Sequence, residues 1–153
     1  MGGKEKTMET IEVGIHIDAP IEQVWERFTD IEAFTDLKEV SSAKLLKEGR
    51  EARMGVGAVR EVRLQGIKFV EDIVTFEPPN CLEYRVKKST MPIRHEIGRM
   101  EFTPSKDGTD IHWTSRFEFP VPLIGKRLEP LLCRRMNKTF TSCLEQAKER
   151  LEA

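Results

Sequence analysis

The chain has no uninterrupted apolar run approaching the ~20 residues that a helix needs to cross a bilayer. Its first residues, Met1 to Glu9, are polar and lack the apolar stretch of a secretory signal, so a cytoplasmic protein is expected. Cysteine is scarce. Cys81, Cys133 and Cys143 are an odd set without CxxC spacing, which gives neither a disulfide framework nor a zinc site. Cys133 and Cys143, placed on one helix, stand about 15 Å apart along its axis, beyond the roughly 7 Å between Cα atoms that a disulfide tolerates. All three thiols are expected to be reduced packing residues. The histidines are also few, and neither they nor any cysteine or carboxylate form a group with metal-ligand spacing. No metal and no cofactor is therefore expected.

Neither sign of charge is in excess. The formal net charge is −1, so there is no global electrostatic case for nucleic acid or for an anionic membrane, and no stable membrane insertion is expected. Nucleophile motifs are missing as well. Ser41, Ser42, Ser89, Ser115 and Ser142 lack an elbow, and no histidine is placed by sequence as their base. Gly55-Val56-Gly57 lacks the third glycine and the Lys-Ser/Thr of a phosphate loop, and a strand rather than a helix follows it. It reads as a flexible turn.

What is present suits a folded domain. Hydrophobic residues make up 39% and charged residues 33% of 153 residues, a mix that argues against disorder. A chain of this length buries roughly 70% of its unfolded surface in one core. One domain over 1–153 is expected, with 1–9 as a flexible tail.

Residues 10–18 alternate, with Ile11, Val13, Ile15 and Ile17 apolar, and predict a strand with one buried face. The period then changes. Asp18 is expected to cap a helix with Pro20 in its first turn, and Ile21, Val24, Trp25 and Phe28 follow at helical spacing. A second short helical piece covers Ile31 to Leu37. Strands are predicted at 40–47, 58–64, 67–76, 81–88, 94–103 and 109–119, with a charged loop from Glu48 to Gly57. Hairpins are expected across Gln65-Gly66 and Asp107-Gly108, and Pro78-Pro79-Asn80 breaks the chain. Pro122 and Pro130 bracket an irregular start to the last helix. From there Cys133, Met136, Phe140, Cys143, Leu144, Ala147 and Leu151 form one apolar stripe opposite a solvated charged face with Arg134, Arg135, Lys138, Glu145, Lys148 and Glu149. The fold class is α+β. Short connections imply an antiparallel sheet, and the long last helix is the element available to cover its apolar face.

Several stretches resemble a known family. They are Ile17-Asp18-Ala19-Pro20, Val24-Trp25, Phe28 and Asp30; Gly55-Val56-Gly57 with Arg60; Phe76-Glu77-Pro78-Pro79; Leu82-Glu83-Tyr84; and Asp107-Gly108-Thr109 with Trp113 in the next strand. In order and spacing the chain is similar to the polyketide cyclase/dehydrase-like branch of the START and pollen-allergen superfamily, from about Ile11 to the C-terminus. The resemblance implies a helix-grip fold: a curved seven-stranded antiparallel sheet wrapped on the C-terminal helix, with two short helices after the first strand. It also implies a cavity for an apolar or amphipathic ligand.

Within that frame Met100, Phe102, Ile111, Trp113, Phe117, Met136 and Phe140 are expected between sheet and helix, as core or as cavity wall. Arg60 shares parity with Val62 and Leu64, and Glu71 with Phe69 and Ile73, so facing strands can set a guanidinium beside a carboxylate. That pair reads either as a polar anchor for a ligand head group or as a structural ion pair. Arg94 and Glu96 share parity with Met100 and are candidates for the cavity mouth, with His95 facing out. Tyr84, between Leu82 and Val86, needs a hydroxyl partner from ligand or core. His16 and His112 should face solvent. The leading expectation is binding or carriage of an apolar or amphipathic small molecule, such as a lipid, polyketide or isoprenoid-like compound. The alternatives are a cyclase or dehydratase using Glu71 and Arg60, and an interaction module acting through its surface.

Overall fold

The structure, a computed structural model, describes residues 8–120 and 125–153. The elements follow in the order β1 (Glu9–Ile17), α1 (Ile21–Thr29), a 3-10 helix (Ile31–Asp36), β2 (Val40–Lys47), β3 (Val59–Leu64), β4 (Ile67–Glu77), β5 (Cys81–Ser89), β6 (Arg94–Ser105), β7 (Gly108–Glu118) and α2 (Gly125–Glu152). Seven strands form one antiparallel sheet in the order β1-β7-β6-β5-β4-β3-β2. Of the expected tail, residues 1–7 lie outside the described residues, and Glu9 belongs to β1.

The sheet bends because its ladders are irregular. Register shifts interrupt β2–β3, β4–β5 and β6–β7, and an extra residue on one strand increases local twist. One irregularity is larger. β5 and β6 pair only from Cys81↔Glu101 to Tyr84↔Gly98. Beyond Tyr84 side chains take the place of the ladder: Val86 N–H donates to His95 Nδ1 at 3.0 Å, and Arg85 Nε donates to the Glu96 carbonyl at 3.1 Å. Each keeps a backbone group from being left unpaired.

Three local expectations need correction. Asp18 does not cap α1. The N-cap is Pro20, without a side-chain cap, because Asp18 lies two residues too early and its carboxylate is held by His16 Nε2 at 2.9 Å. The β6–β7 turn is centred on Lys106-Asp107 instead of Asp107-Gly108. Lys106 takes φ 52° and Gly108 already pairs with Ser105. A Cβ on Gly108 would lie 2.2 Å from the Ile17 carbonyl oxygen, so that glycine serves a close approach of β1. Pro130 lies inside α2 instead of ending an irregular lead-in. It is the sixth residue of the helix, near the first turn, whose N–H groups have no helical partner. Pro122 lies outside the described residues. The Gln65-Gly66 turn is as expected, with φ 49° and 81°, the pattern of a two-residue hairpin.

The core lies between the concave face of the sheet and the helices. Trp25 of α1 packs on Phe76 and edge-on to Phe102, with ring centroids 5.3 and 5.2 Å apart. Phe140, Cys143, Leu144 and Ala147 bury the α2 stripe, joined by Thr139. The C-terminal half of α2 is fastened by polar bonds. Ser142 Oγ and Gln146 Nε2 donate to Glu39, Lys148 Nζ donates to the His16 carbonyl, and Asp18 N–H donates to Glu152. Lys148 is thus half-buried and engaged, where the sequence suggested a solvated residue. Nearer its start, α2 reaches the sheet by polar contact at Gln65, which accepts from Thr139 Oγ1 at 3.0 Å and from Arg135 Nε at 3.4 Å. Among the described residues the helix is therefore tied tightly in its C-terminal half and more loosely nearer its start.

Candidate functional site

Loose fastening at one end leaves space between sheet and helix. A cavity of about 130 Å³ lies there, walled by β3 to β7 and by α2, and closed at its inner end by Phe28, Phe34 and Leu37. Its open end is rimmed by Ile67, Met91, Ile93 and Leu132, with Gln65 and Arg135 beside them. Trp113 and Phe140 both line it and stack face to face, with centroids 4.1 Å apart and planes 2° apart. Met100 and Met136 complete the apolar wall.

Arg60 and Glu71 are directly opposed in the β3–β4 register. Both line the cavity, and Arg60 Nε donates to Glu71 Oε1 at 2.7 Å. The side chains are 6% and 12% exposed, so both charges are withdrawn from water. The guanidinium also sits over the Phe34 ring at 5.3 Å and the Tyr84 ring at 5.5 Å, positions in which ring quadrupoles favour a cation. Nε is the Arg60 nitrogen with a hydrogen bond among the described residues. Its two Nη groups are open to the cavity.

Tyr84 is held from three sides. Its hydroxyl accepts a hydrogen bond from Trp113 Nε1 at 2.9 Å, its ring stacks on His95 at 5.6 Å, and the phenol end of the ring lies against Gly98. Burial, then the nearby Glu71 charge, push its pKa well above the usual phenol value, so the hydroxyl keeps its proton. Because Trp113 uses the hydroxyl as an acceptor, that proton remains to be donated.

A side chain added at Gly98 would meet the tyrosine, since an ideal Cβ lies 2.2 Å from Tyr84 Cζ. Gly98→Ala is therefore expected to displace the ring and cost roughly 1–3 kcal/mol. A urea melt measures the loss, and the Trp113 indole proton resonance should move with it. An unchanged melt and resonance would show that the ring has room to move aside.

The structure reverses one assignment. His95 faces inward and lines the cavity, while Arg94 and Glu96 face out. The cause is the β6–β7 register shift between His95 and Ile97, which adds a residue at Glu96 and inverts parity for everything before it. Arg94 is 61% exposed and pairs with Glu118 at 3.5 Å, and Glu96 pairs with Arg116 at 3.7 Å. Phe117 is buried but packs edge-on against Phe119, away from the cavity wall. Residues 48–57 do not line the cavity either. Backbone bonds such as Gly49 N–H to the Arg53 carbonyl and Arg50 N–H to the Val56 carbonyl fold that loop on itself.

His95 also reaches Ser115, a pairing invisible in sequence. Their Nε2 and Oγ lie 3.0 Å apart, and Ser115 lines the cavity. The pair looks like a nucleophile and its base, but the tautomer opposes that role. Nδ1 accepts from Val86 N–H, so in the neutral ring the proton sits on Nε2 and is donated to Ser115. Burial, helped by Arg85, lowers the His95 pKa to about 4. The ring is a weak base whose free lone pair points at the backbone. The thiols are no better placed, since burial and then Glu39 push Cys143 up to about 12. Among the described residues no group of three or more His, Cys, Asp or Glu side chains could hold a metal ion, and no helix is long and apolar enough to cross a membrane. His16 and His112 are turned to the outer side, where they meet Asp110 and Glu12.

Residues 8–152 match the family described as polyketide cyclase / dehydrase and lipid transport. Among solved structures, a protein of Thermus thermophilus superposes with a TM-score of 0.77 at 23% identity, over 94% of this chain and 97% of that one. A START superfamily protein from Mycobacterium smegmatis gives 0.77 at 15% identity, with the same coverage of 94% and 97%. The Aha1 dimer from Colwellia psychrerythraea gives 0.64 at 14% identity, covering 94% and 96%. At these identities the likeness is one of fold. Among curated proteins none matches the chain significantly.

Proposed function

From the premise that the chain belongs to the polyketide cyclase / dehydrase and lipid transport family, we propose that it binds a small apolar molecule carrying one oxygen acceptor. Family membership and the apolar cavity are consistent with hydrophobic ligand binding. The acceptor is argued from one observation: Arg60 Nη and the Tyr84 hydroxyl are donors on the cavity wall without an acceptor among the described residues. Both reach the open space of the cavity, so a carbonyl, phenolate or carboxylate oxygen placed between them would accept from both, the Arg60 bond being strengthened by its charge. The remaining affinity would come from burying hydrocarbon, at roughly 0.8 kcal/mol per CH₂.

Size sets a further condition. A cavity of about 150 Å³ holds a benzene-sized guest, close to the volume here, while drug-sized ligands occupy about 300–1,000 Å³. A larger ligand would have to displace the rim residues Met91, Ile93, Leu132 and Met136. Thioethers adapt readily, and that half of α2 is the loosely fastened one.

The test begins with native mass spectrometry of gently purified protein and extraction of any bound compound. It continues with titration by an oxygen-bearing ligand and by its hydrocarbon isostere. Tyr84→Phe is expected to weaken the oxygen-bearing ligand about tenfold, the worth of one hydrogen bond near 1.4 kcal/mol, and to leave the isostere unchanged. Protein that arrives empty and ignores a broad panel of lipids and aromatic compounds would sink the proposal.

A second reading, cyclase or dehydratase chemistry, draws on Glu71. Its Oε2 has no hydrogen-bond partner among the described residues and lies on the same wall. Turnover lost in Glu71→Gln with ligand binding intact would favour that reading over a carrier.

A further inference from the structure

Net charge conceals how the charges are arranged. In an antiparallel meander the β3–β4 turn, the β5–β6 connection and the start of α2 all lie at one end of the sheet, and this is the end where the cavity opens. Arg63, Lys68, Lys88, Arg134, Arg135 and Lys138 stand around it, and none has an ion-pair partner among the described residues. Five carboxylates share this end. Three are engaged, Glu118 by Arg94, Glu96 by Arg116 and Glu39 by Ser142 and Gln146, which leaves Glu9 and Glu129. At the opposite end the carboxylates without a partner among the described residues, Glu22, Glu26, Glu51, Glu77 and Asp107, outnumber the unpaired cations Lys47, Arg50 and Lys106. The molecule is nearly neutral but polarised along its cavity axis.

Apolar side chains are exposed at the basic end. Leu128 and Leu131 are 52% and 57% exposed on the first turns of α2. They adjoin Leu132, which with Ile67, Met91 and Ile93 rims the cavity. Exposed leucines at the end that carries the unpaired cations are complementary to a surface that is anionic outside and hydrocarbon beneath. A nucleic acid would use the cations but gain nothing from exposed leucines, and a bilayer uses both.

We propose that the cavity mouth, through Leu128 and Leu131 with Arg63, Lys68, Arg134 and Lys138, docks on the surface of an anionic lipid bilayer. The docking is peripheral and reversible, and sets the open end of the cavity against the lipid. It rests on the proposed ligand reading only in the purpose it gives the contact, since the surface chemistry stands without it.

The experiment is cosedimentation of the full chain with phosphatidylcholine vesicles and with vesicles in which phosphatidylglycerol makes up about a third of the lipid. Partitioning is expected onto the anionic vesicles alone and should fall steeply with added salt. Arg134→Glu with Lys138→Glu should lower it at least about tenfold, because each cation near such a surface is worth roughly a factor of five. Leu128→Gln with Leu131→Gln should lower it by a similar factor while leaving the salt dependence in place. These side chains are exposed, so a thermal melt should show each variant folded. Equal binding to both vesicle types, binding to neither, or indifference to charge reversal would overturn the proposal. The ligand titration on the same preparation separates the two ideas. A filled cavity with no vesicle binding removes the docking and keeps the ligand reading, and vesicle binding with an empty, unresponsive cavity does the reverse.

Discussion

Glu71→Leu is expected to lower the folding free energy by about 3–5 kcal/mol. The substitution removes the only hydrogen-bond partner of Arg60 among the described residues and leaves a guanidinium that is 6% exposed. The Phe34 and Tyr84 rings remain, but cation–π contacts of about 0.5–2 kcal/mol cannot replace a buried counter-ion. A domain of this kind has about 5–15 kcal/mol to lose, so the variant should lie near its unfolding threshold. The double change Arg60→Met with Glu71→Leu should recover most of the loss, because it removes the stranded charge along with its partner. Urea denaturation of the two singles and the double gives the coupling energy directly. A loss below about 1 kcal/mol in Glu71→Leu would mean that water reaches the guanidinium and screens it, and the cavity would then be wetter than its walls suggest.

The second large effect depends on pH. The His95 pKa falls from 6.5 to about 4, first through burial and then through Arg85. The native state therefore holds the neutral ring, and the unfolded chain binds a proton that the native state refuses. The sign follows: His95 contributes its full stabilisation above about pH 6.5, and loses it as pH falls toward 4. A gap of this size is worth about 3 kcal/mol, at roughly 1.4 kcal/mol per pH unit across the window. His16 acts in the opposite sense, with a pKa raised by its bonds to Asp110 and Asp18 at an exposed site. The difference between wild type and His95→Gln isolates the buried ring. Stability measured by urea from pH 7 to pH 4 should fall more steeply in the wild type than in His95→Gln. Parallel curves would place His95 in contact with solvent and refute its role as the plug between β5 and β6.

These two residues also mark where reading the sequence succeeded and where it stopped. Arg60 and Glu71 sit on strands joined by a two-residue turn, Gln65-Gly66, whose geometry fixes the register. Counting back from that turn sets them opposite each other, and alternation with Val62 and Phe69 sets their side. His95 lies on β6 ahead of a register shift at Glu96. Nothing in Ile93-Arg94-His95-Glu96-Ile97 announces an extra residue, and alternation from Met100 exchanges His95 with its two neighbours. One inserted residue thus removed Arg94 and Glu96 from the cavity and admitted His95, where it meets the inward-facing Ser115. The same limit applies to Gly98, whose reason is a tyrosine on the neighbouring strand.

The sequence by itself determined the element order, the antiparallel sheet with one long covering helix, and the apolar stripe of that helix. These follow from periods of 2 and 3.6 residues and from short turns, all of them local properties of the chain. The tertiary structure alone decided that β5 and β6 part beyond Tyr84, that among the described residues α2 is tied more tightly in its C-terminal half than nearer its start, and that the cations collect where the cavity opens. Each of these depends on which distant residues meet, and a chain read along its length carries no record of which bonds the sheet leaves unmade.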